Sequence, residues 1–362
     1  MLWPWLIFVG FVFLMLAIDL GVFHRKSHEV GFKESLLWSA VWITLGLSFS
    51  GLVYLAYEGH WFGLGNAIDA VDKMQNSGSL AATKYLTAYV VEKSLSVDNI
   101  FVMALVFSAL SVPARYQHRV LFWGILGALL LRGTMIGLGS MLVQNFHWVL
   151  YLFGAFLLFT GLKMLLMKED EEEAHPENNR VVKWMRRVLP ITQNFHGQHF
   201  MVRAGGPWSL ESAEPGQVPR TDAVLAAAPN GKWLFTPLFV ALVLVELTDL
   251  IFAVDSIPAV FAITADPFLV FTSNVFAILG LRSLYFSLAG LIHKFQYLKP
   301  ALSLILVLVG AKMLAAKWLK VWLGDSFNLV VLTVIIAILI TGVLTSILLA
   351  ERKDDADSDH QS

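Results

Sequence analysis

No cysteine occurs anywhere in the 362 residues. That removes disulfides, thiolate metal sites, iron–sulfur clusters and thiol catalysis together. A metal bound by this chain must take oxygen, imidazole or thioether ligands. Charge is scarce too: Asp, Glu, Lys and Arg make up 15% of the residues, against about 25% in an ordinary soluble domain. The net charge of −1 holds no basic surplus, so nothing points to nucleic acid. Nucleophile–base pairs, phosphate loops and cofactor motifs are missing, and Ser and His are scattered, which argues against an enzyme and against a prosthetic group.

What is there is apolar. Hydrophobic residues make up 57% of the chain, against about 45–50% in soluble domains, and the mean hydropathy is +0.67. This surplus is too large for one core and falls in long blocks. Twelve Trp and 26 Phe suit a protein with two bilayer interfaces to anchor. The first block begins Met1-Leu2-Trp3-Pro4-Trp5, with no basic leader and no small-residue cleavage pattern, so it reads as a retained span rather than a signal peptide.

A bilayer core of about 30 Å needs about 20 apolar residues per helix. Nine stretches qualify, near 3–23, 35–57, 85–110, 120–143, 147–166, 233–264, 268–292, 300–316 and 327–350. Helices satisfy their own backbone within lipid, so the expected fold is an all-α, polytopic membrane helix bundle. Arg25, Lys26 and Lys33, then Arg115 and Arg119, then Lys294 and Lys299, and finally Arg352 and Lys353 all fall on one side. The positive-inside bias makes that side cytoplasmic and the N-terminus external, with Lys317 and Lys320 dissenting. The expected location is a bacterial inner membrane, with the lipid bilayer as the chain's surroundings.

Residues 167–232 form the largest connection, on the cytoplasmic side. An acidic run, Lys168 to Glu173, precedes a basic stretch from Arg180 to Arg187 that is interleaved with Val181, Val182 and Trp184. That stretch is either an amphipathic helix lying on anionic lipid or a solvated linker. His196 and His199 read as loop histidines rather than metal ligands.

The chain also contains itself twice. Glu92-Lys-Ser-Leu-Ser-Val-Asp98-Asn99 is echoed by Asp249-Leu-Ile-Phe-Ala-Val-Asp255-Ser256, with two carboxylates six residues apart in both. Arg132 then corresponds to Arg282, and Gly161-Leu-Lys163-Met-Leu165 to Gly310-Ala-Lys312-Met-Leu314. Three spans per copy is an odd number, so the copies enter the membrane from opposite sides. Inverted repeats with a site at their interface are a recurring transporter architecture. The expected organisation is a two-helix segment and outer loop at 1–84, repeat 1 at 85–166, the cytoplasmic loop at 167–232, repeat 2 at 233–316, and a last helix with an acidic tail at 317–362.

Six acids lie inside these spans: Asp19, Glu92, Asp98, Glu246, Asp249 and Asp255. Each costs roughly 2.5–3.5 kcal/mol or more at a helix centre, so such residues ordinarily face a cavity and have a task. Lys93, Arg132 and Arg282 are too few to neutralise them, and Lys163 and Lys312 near span ends are placed to snorkel. Positions six apart point about 120° apart on a regular helix. Convergence of all the acids therefore calls for breaks near Asp98 and Asp255, where Pro258 removes a backbone donor. Carboxylates with an Asn amide and no sulfur suit Mg²⁺, Ca²⁺ or Mn²⁺. The same acids can relay protons, and the two roles are compatible in an antiporter.

The two acidic segments, the second running Glu246-Leu-Thr-Asp249-Leu-Ile-Phe-Ala-Val-Asp255-Ser-Ile-Pro258-Ala-Val-Phe-Ala-Ile-Thr264, resemble the two signatures of the TerC family. These are integral membrane proteins named for a tellurium-resistance locus. The likeness extends over nearly the whole chain, including Val112-Pro113 and Gln117-His118-Arg119. It implies manganese export, with Asp19, Glu92, Asp98, Asn99, Glu246, Asp249 and Asp255 as the metal-site positions. A membrane scaffold that binds metal and helps metalate or assemble exported proteins is the competing reading.

Overall fold

The structure is a computed structural model, and its described residues are 2–21, 32–146, 148–166, 184–185, 187–206, 222–288, 298–315 and 327–359. It is a helix bundle. The long elements are α1 (Trp3–Gly21), α2 (Phe32–Glu58), α3 (Gly78–Ala109), α4 (Ala114–Asn145) and α5 (Val149–Leu166). A short helix α6 (Ala223–Ala227) precedes α7 (Pro237–Phe261), α8 (Pro267–Leu279), α9 (Leu281–Leu288), α10 (Leu298–Leu314) and α11 (Phe327–Asp359). Among the described residues, six stretches are long and apolar enough to cross a bilayer: Phe32–Glu58, Ala114–Asn145, Val149–Leu166, Pro237–Phe261, Pro267–Leu288 and Asn328–Ser346. Helix α3 has the length, but it carries Lys84, Glu92, Lys93 and Asp98.

Local chemistry sets the helix ends. Ser77 accepts from Leu80 N–H at the start of α3. Asp266 accepts from Phe268 and Leu269 N–H at the start of α8, ahead of Pro267 in the first turn, where its missing donor costs nothing. The span formed by α8 and α9 is buried along almost its whole length, so it is the axis that the others surround. Its polar residues do not oppose that burial, because Thr272 and Ser273 return their hydroxyls to backbone carbonyls of the same helix.

Helix pairing is reciprocal. Helix α3 packs on α8 while α7 packs on α4, and α5 lies along α10. At the α5–α10 crossing the backbones touch. A Cβ on Gly161 would meet the Val307 nitrogen at 2.8 Å, and one on Gly310 would meet the Leu158 nitrogen at 2.7 Å. Val307 and Leu158 each precede a crossing glycine by three residues, so the two sides of the contact mirror one another. Small residues that let helix backbones approach this closely are the usual means of tight packing in lipid.

Two expectations fail on the backbone. Helices α3 and α7 run unbroken through Asp98 and Asp255. Pro258 lies in the last turn of α7, where only one interior hydrogen bond is lost. The interruption falls instead at Gly280, between α8 and α9. There the Lys93 ammonium donates to the Ala277 carbonyl at 3.1 Å, supplying a donor where α8 leaves its last carbonyls without one.

The connection 167–232 is more than a solvated linker. Within it β1 (Met201–Arg203) pairs antiparallel with β2 (Trp233–Phe235), a small departure from all-α, and residues 233–235 belong to this ribbon rather than to a span. Met185 is buried, and Ile191, Phe195 and Phe200 pack against the ends of α3, α4 and α7. Of the basic stretch, Trp184, Met185 and Arg187 are described, with Trp184 exposed and Met185 buried; the rest lies outside the described residues. Asp222 organises this region by accepting from the backbone N–H groups of Gln193, Asn194, Val224 and Leu225. His196 is buried 3.6 Å from the same carboxylate.

Candidate functional site

A seven-residue register, rather than the six-residue one, builds the site. Glu92, Ser96 and Asn99 lie at i, i+4 and i+7 on α3, and Asp249, Ala253 and Ser256 do so on α7; all six are buried. That spacing forms one stripe of a regular helix. The two stripes face each other, and Arg132 of α4 reaches between them.

Arg132 is 2% exposed. Its Nε and Nη2 donate to the two carboxylate oxygens of Asp249 at 3.1 and 2.8 Å, a two-pronged grip. Its Nη1 donates to Glu92 and also approaches Asn274 Oδ1 at 3.3 Å and Ser256 Oγ at 3.5 Å. Asn99 adds a donor to Asp249 Oδ1 at 3.3 Å. The positions that the sequence repeat equates, Glu92 and Asp249, thus share one cation deep in the bundle.

Glu246 stands one turn before Asp249, half-buried. Its carboxylate fills the space beside Gly127 of α4, so a Cβ there would push this flexible side chain aside. Among the described residues, several polar atoms around the triad have no hydrogen-bond partner: Glu92 Oε2, Asn99 Oδ1, Glu246 Oε2 and Asn274 Nδ2. A buried polar atom left so costs about 1–3 kcal/mol, more if charged. Two carboxylates share the Arg132 guanidinium here, with the buried Arg282 across a small cavity from Asp249. The unpartnered oxygens make the site attractive to a further cation.

Asp255 points elsewhere, as its spacing requires. It is half-buried beside the exposed Ile251 and Val254, and makes no hydrogen bond or ion pair among the described residues. Asp19 and Asp98 lie on α1 and α3, and their side chains fall outside the described residues. Among the described residues, no three acidic or imidazole groups converge tightly enough to hold a metal ion. Arg132 fills the space between Glu92 and Asp249. A cavity of about 10 Å³, room for about one water, adjoins Asp249 and Arg282 on the side toward the turn between α3 and α4.

The opposite end is closed by a network that the charge pattern did not reveal. Lys84, fully buried, donates to Asp69 at 2.9 Å and Asn76 at 2.7 Å and forms an ion pair with Asp72 at 2.7 Å. Asp69 also accepts from Thr264 Oγ1 at 2.5 Å and from Ala265 N–H at 3.0 Å, which ties the loop after α2 to the loop after α7. Asp266 accepts from the Tyr57 hydroxyl at 2.9 Å and from Asn76. Burial alone would raise the Asp69 carboxyl, but the Lys84 ammonium and the Thr264 hydroxyl outweigh it and hold the group below its usual range. At Asp266 burial wins and the carboxyl is pushed up. Lys312 belongs with this end. It is buried, with its amine 3.4 Å from Asn328 Oδ1, so it does not snorkel, whereas Lys163 is exposed as expected. The missed signal was register: Lys84, Ala88 and Glu92 lie at i, i+4 and i+8, on one face.

The family model for integral membrane proteins of the TerC family matches residues 77–354. The chain is 44% identical over 355 residues to the membrane protein STKORF319 of Myxococcus xanthus, covering 98% of this chain and 95% of that one. It is also 44% identical over 334 residues to Alx of Escherichia coli K12, which carries the name of a membrane-bound redox modulator, covering 91% and 92%. A membrane protein of Rickettsia bellii is 35% identical over 344 residues, covering 95% and 97%. No solved structure matches the chain significantly. A multi-pass helix bundle, an ion triad deep within it and a family match over most of the sequence agree: the chain belongs to the TerC family of integral membrane proteins.

Proposed function

We propose that the chain is a transporter that exports a hard divalent cation, Mn²⁺ before Mg²⁺ or Ca²⁺, from the cytoplasm through the carboxylate site between α3 and α7. The observation that carries this reading is the meeting of Glu92 and Asp249 on one buried guanidinium, with Glu92 Oε2, Asn99 Oδ1 and Glu246 Oε2 unpartnered among the described residues. Oxygen donors without sulfur select hard cations. Asp19, Asp98 and Asp255 complete the set of acids, some taking metal and some carrying protons as the counter-ion. A redox role such as the name of Alx states would need an electron carrier other than thiols, because this chain has none.

The direct test is flux. Purified protein in liposomes loaded with a Mn²⁺-sensitive dye should move Mn²⁺ down its gradient, faster than empty liposomes. Bound metal without flux would defeat the transporter reading and favour the scaffold. Orientation is tested separately: the N-terminus is placed outside, and residues 167–232 in the cytoplasm of an inner-membrane protein. A cysteine at Gln198 is the chain's sole thiol. It should stay unlabelled by an impermeant reagent added to spheroplasts and should react in inverted vesicles; the reverse pattern would invert the topology.

A further inference from the structure

We propose that Arg132 is a tethered counter-cation, which occupies the acid pair when no metal does and carries the empty site back across the membrane. This rests on the export reading above. The geometry is that of a competitor. Arg132 takes both oxygens of Asp249, one of Glu92, and polar contacts to Ser256 and Asn274. A metal seeking Glu92 and Asp249 must therefore displace a group already bound to both.

The physical need is plain. Two buried carboxylates stripped of a cation face a penalty of several kcal/mol each, so a carrier without metal or substitute could not readily reorient. An arginine keeps its charge at any physiological pH, and its two-pronged grip is strong yet reversible. The site thus alternates between two occupants, metal and guanidinium, and one loaded passage is followed by one arginine-filled return. Arg132 in this role positions charge and does not bind the cargo.

The test separates exchange from net flux. Arg132→Gln, checked for folding by monodisperse elution in detergent, should bind Mn²⁺ at least about tenfold more tightly, because its competitor is gone. In liposomes, radioactive Mn²⁺ should still exchange against unlabelled Mn²⁺ on the far side. Net efflux into a Mn²⁺-free compartment should fall at least about tenfold, because the empty site cannot return. Lys163→Gln, exposed on α5, should match the parent. Weaker Mn²⁺ binding, unchanged net efflux, or joint loss of exchange and net flux in folded Arg132→Gln protein would overturn the proposal. Should that variant fail to fold, Arg132→Lys decides: it keeps the charge but loses the grip on Asp249. It should bind Mn²⁺ more tightly than the parent with net efflux retained, and weaker binding would overturn the idea. A parent protein with no flux of any kind would instead defeat the export reading itself.

Discussion

Asp249→Asn should lower Mn²⁺ transport at least about a hundredfold and destabilise the protein as well. Asp249 is 3% exposed and holds two of the nitrogens of Arg132. Breaking one partner of a buried ion pair typically costs 3–5 kcal/mol, and about 2.7 kcal/mol already corresponds to a hundredfold change. The unfolding midpoint in detergent should fall along with the flux. Asp255→Asn makes the informative contrast. With no ion pair to break, it should leave the midpoint near that of the parent, so any loss of flux reports its part in handling metal or protons. Asp98→Asn should likewise cut export steeply while expression survives. Parent-like export by Asp98→Asn and Asp255→Asn together would make those acids bystanders. Parent-like export by Asp249→Asn would remove the transport mechanism altogether.

The second large effect belongs to Lys84→Met, which should cost about 3–5 kcal/mol of stability. Two carboxylates, Asp69 and Asp72, would lose the ammonium they share. The loss should depend on pH with a defined sign. Asp69 is held below its ordinary value in the folded protein. Its contribution is therefore complete above the usual carboxylate range and fades as pH falls through the lowered folded value. In Lys84→Met the Thr264 hydroxyl and the Val71 and Ala265 N–H groups still favour the charged form, but the ammonium that chiefly offsets burial is gone, so protonation of Asp69 relieves part of the defect. The gap in unfolding midpoint between parent and variant should be wide at pH 8 and narrower at pH 5. A gap that widened with acid would show that Lys84 acts through packing rather than charge.

Much of the architecture was written in composition. Long apolar blocks, sparse charge and the echo of Glu92–Asn99 in Asp249–Ser256 point to a polytopic bundle and to Glu92, Asn99 and Asp249, which the fold brings together. The errors share one cause, which is reading charge spacing without side-chain reach. Six-residue spacing calls for bent helices, yet Glu92 with Asn99 and Asp249 with Ser256 are seven apart and need no bend. A long arginine on a third helix closes the remaining distance. Lys84 escaped notice because it lies just before the apolar block of α3, where a lysine looks solvated. Only tertiary packing brings Asp69 and Asp72 over it. The break at Gly280 was equally hidden, because the residues that flank it are apolar on both sides.

The glycine contact between α5 and α10 has a mechanical consequence. Where two rods touch backbone to backbone over two successive turns, as Gly154 to Gly161 do against Val307 to Met313, they are held as one strut. Sliding one helix along the other would drive Val307 or Leu158 into the opposing backbone, which stands within 3 Å of any added carbon. Turning meets the same obstacle, because the contact of Gly154 with Met313 lies seven residues along α5 from that of Gly161 with Val307. Close-packed interfaces resist continuous deformation, so α5 and α10 form a rigid brace, against which α3 and α7, which carry the two acids, are set.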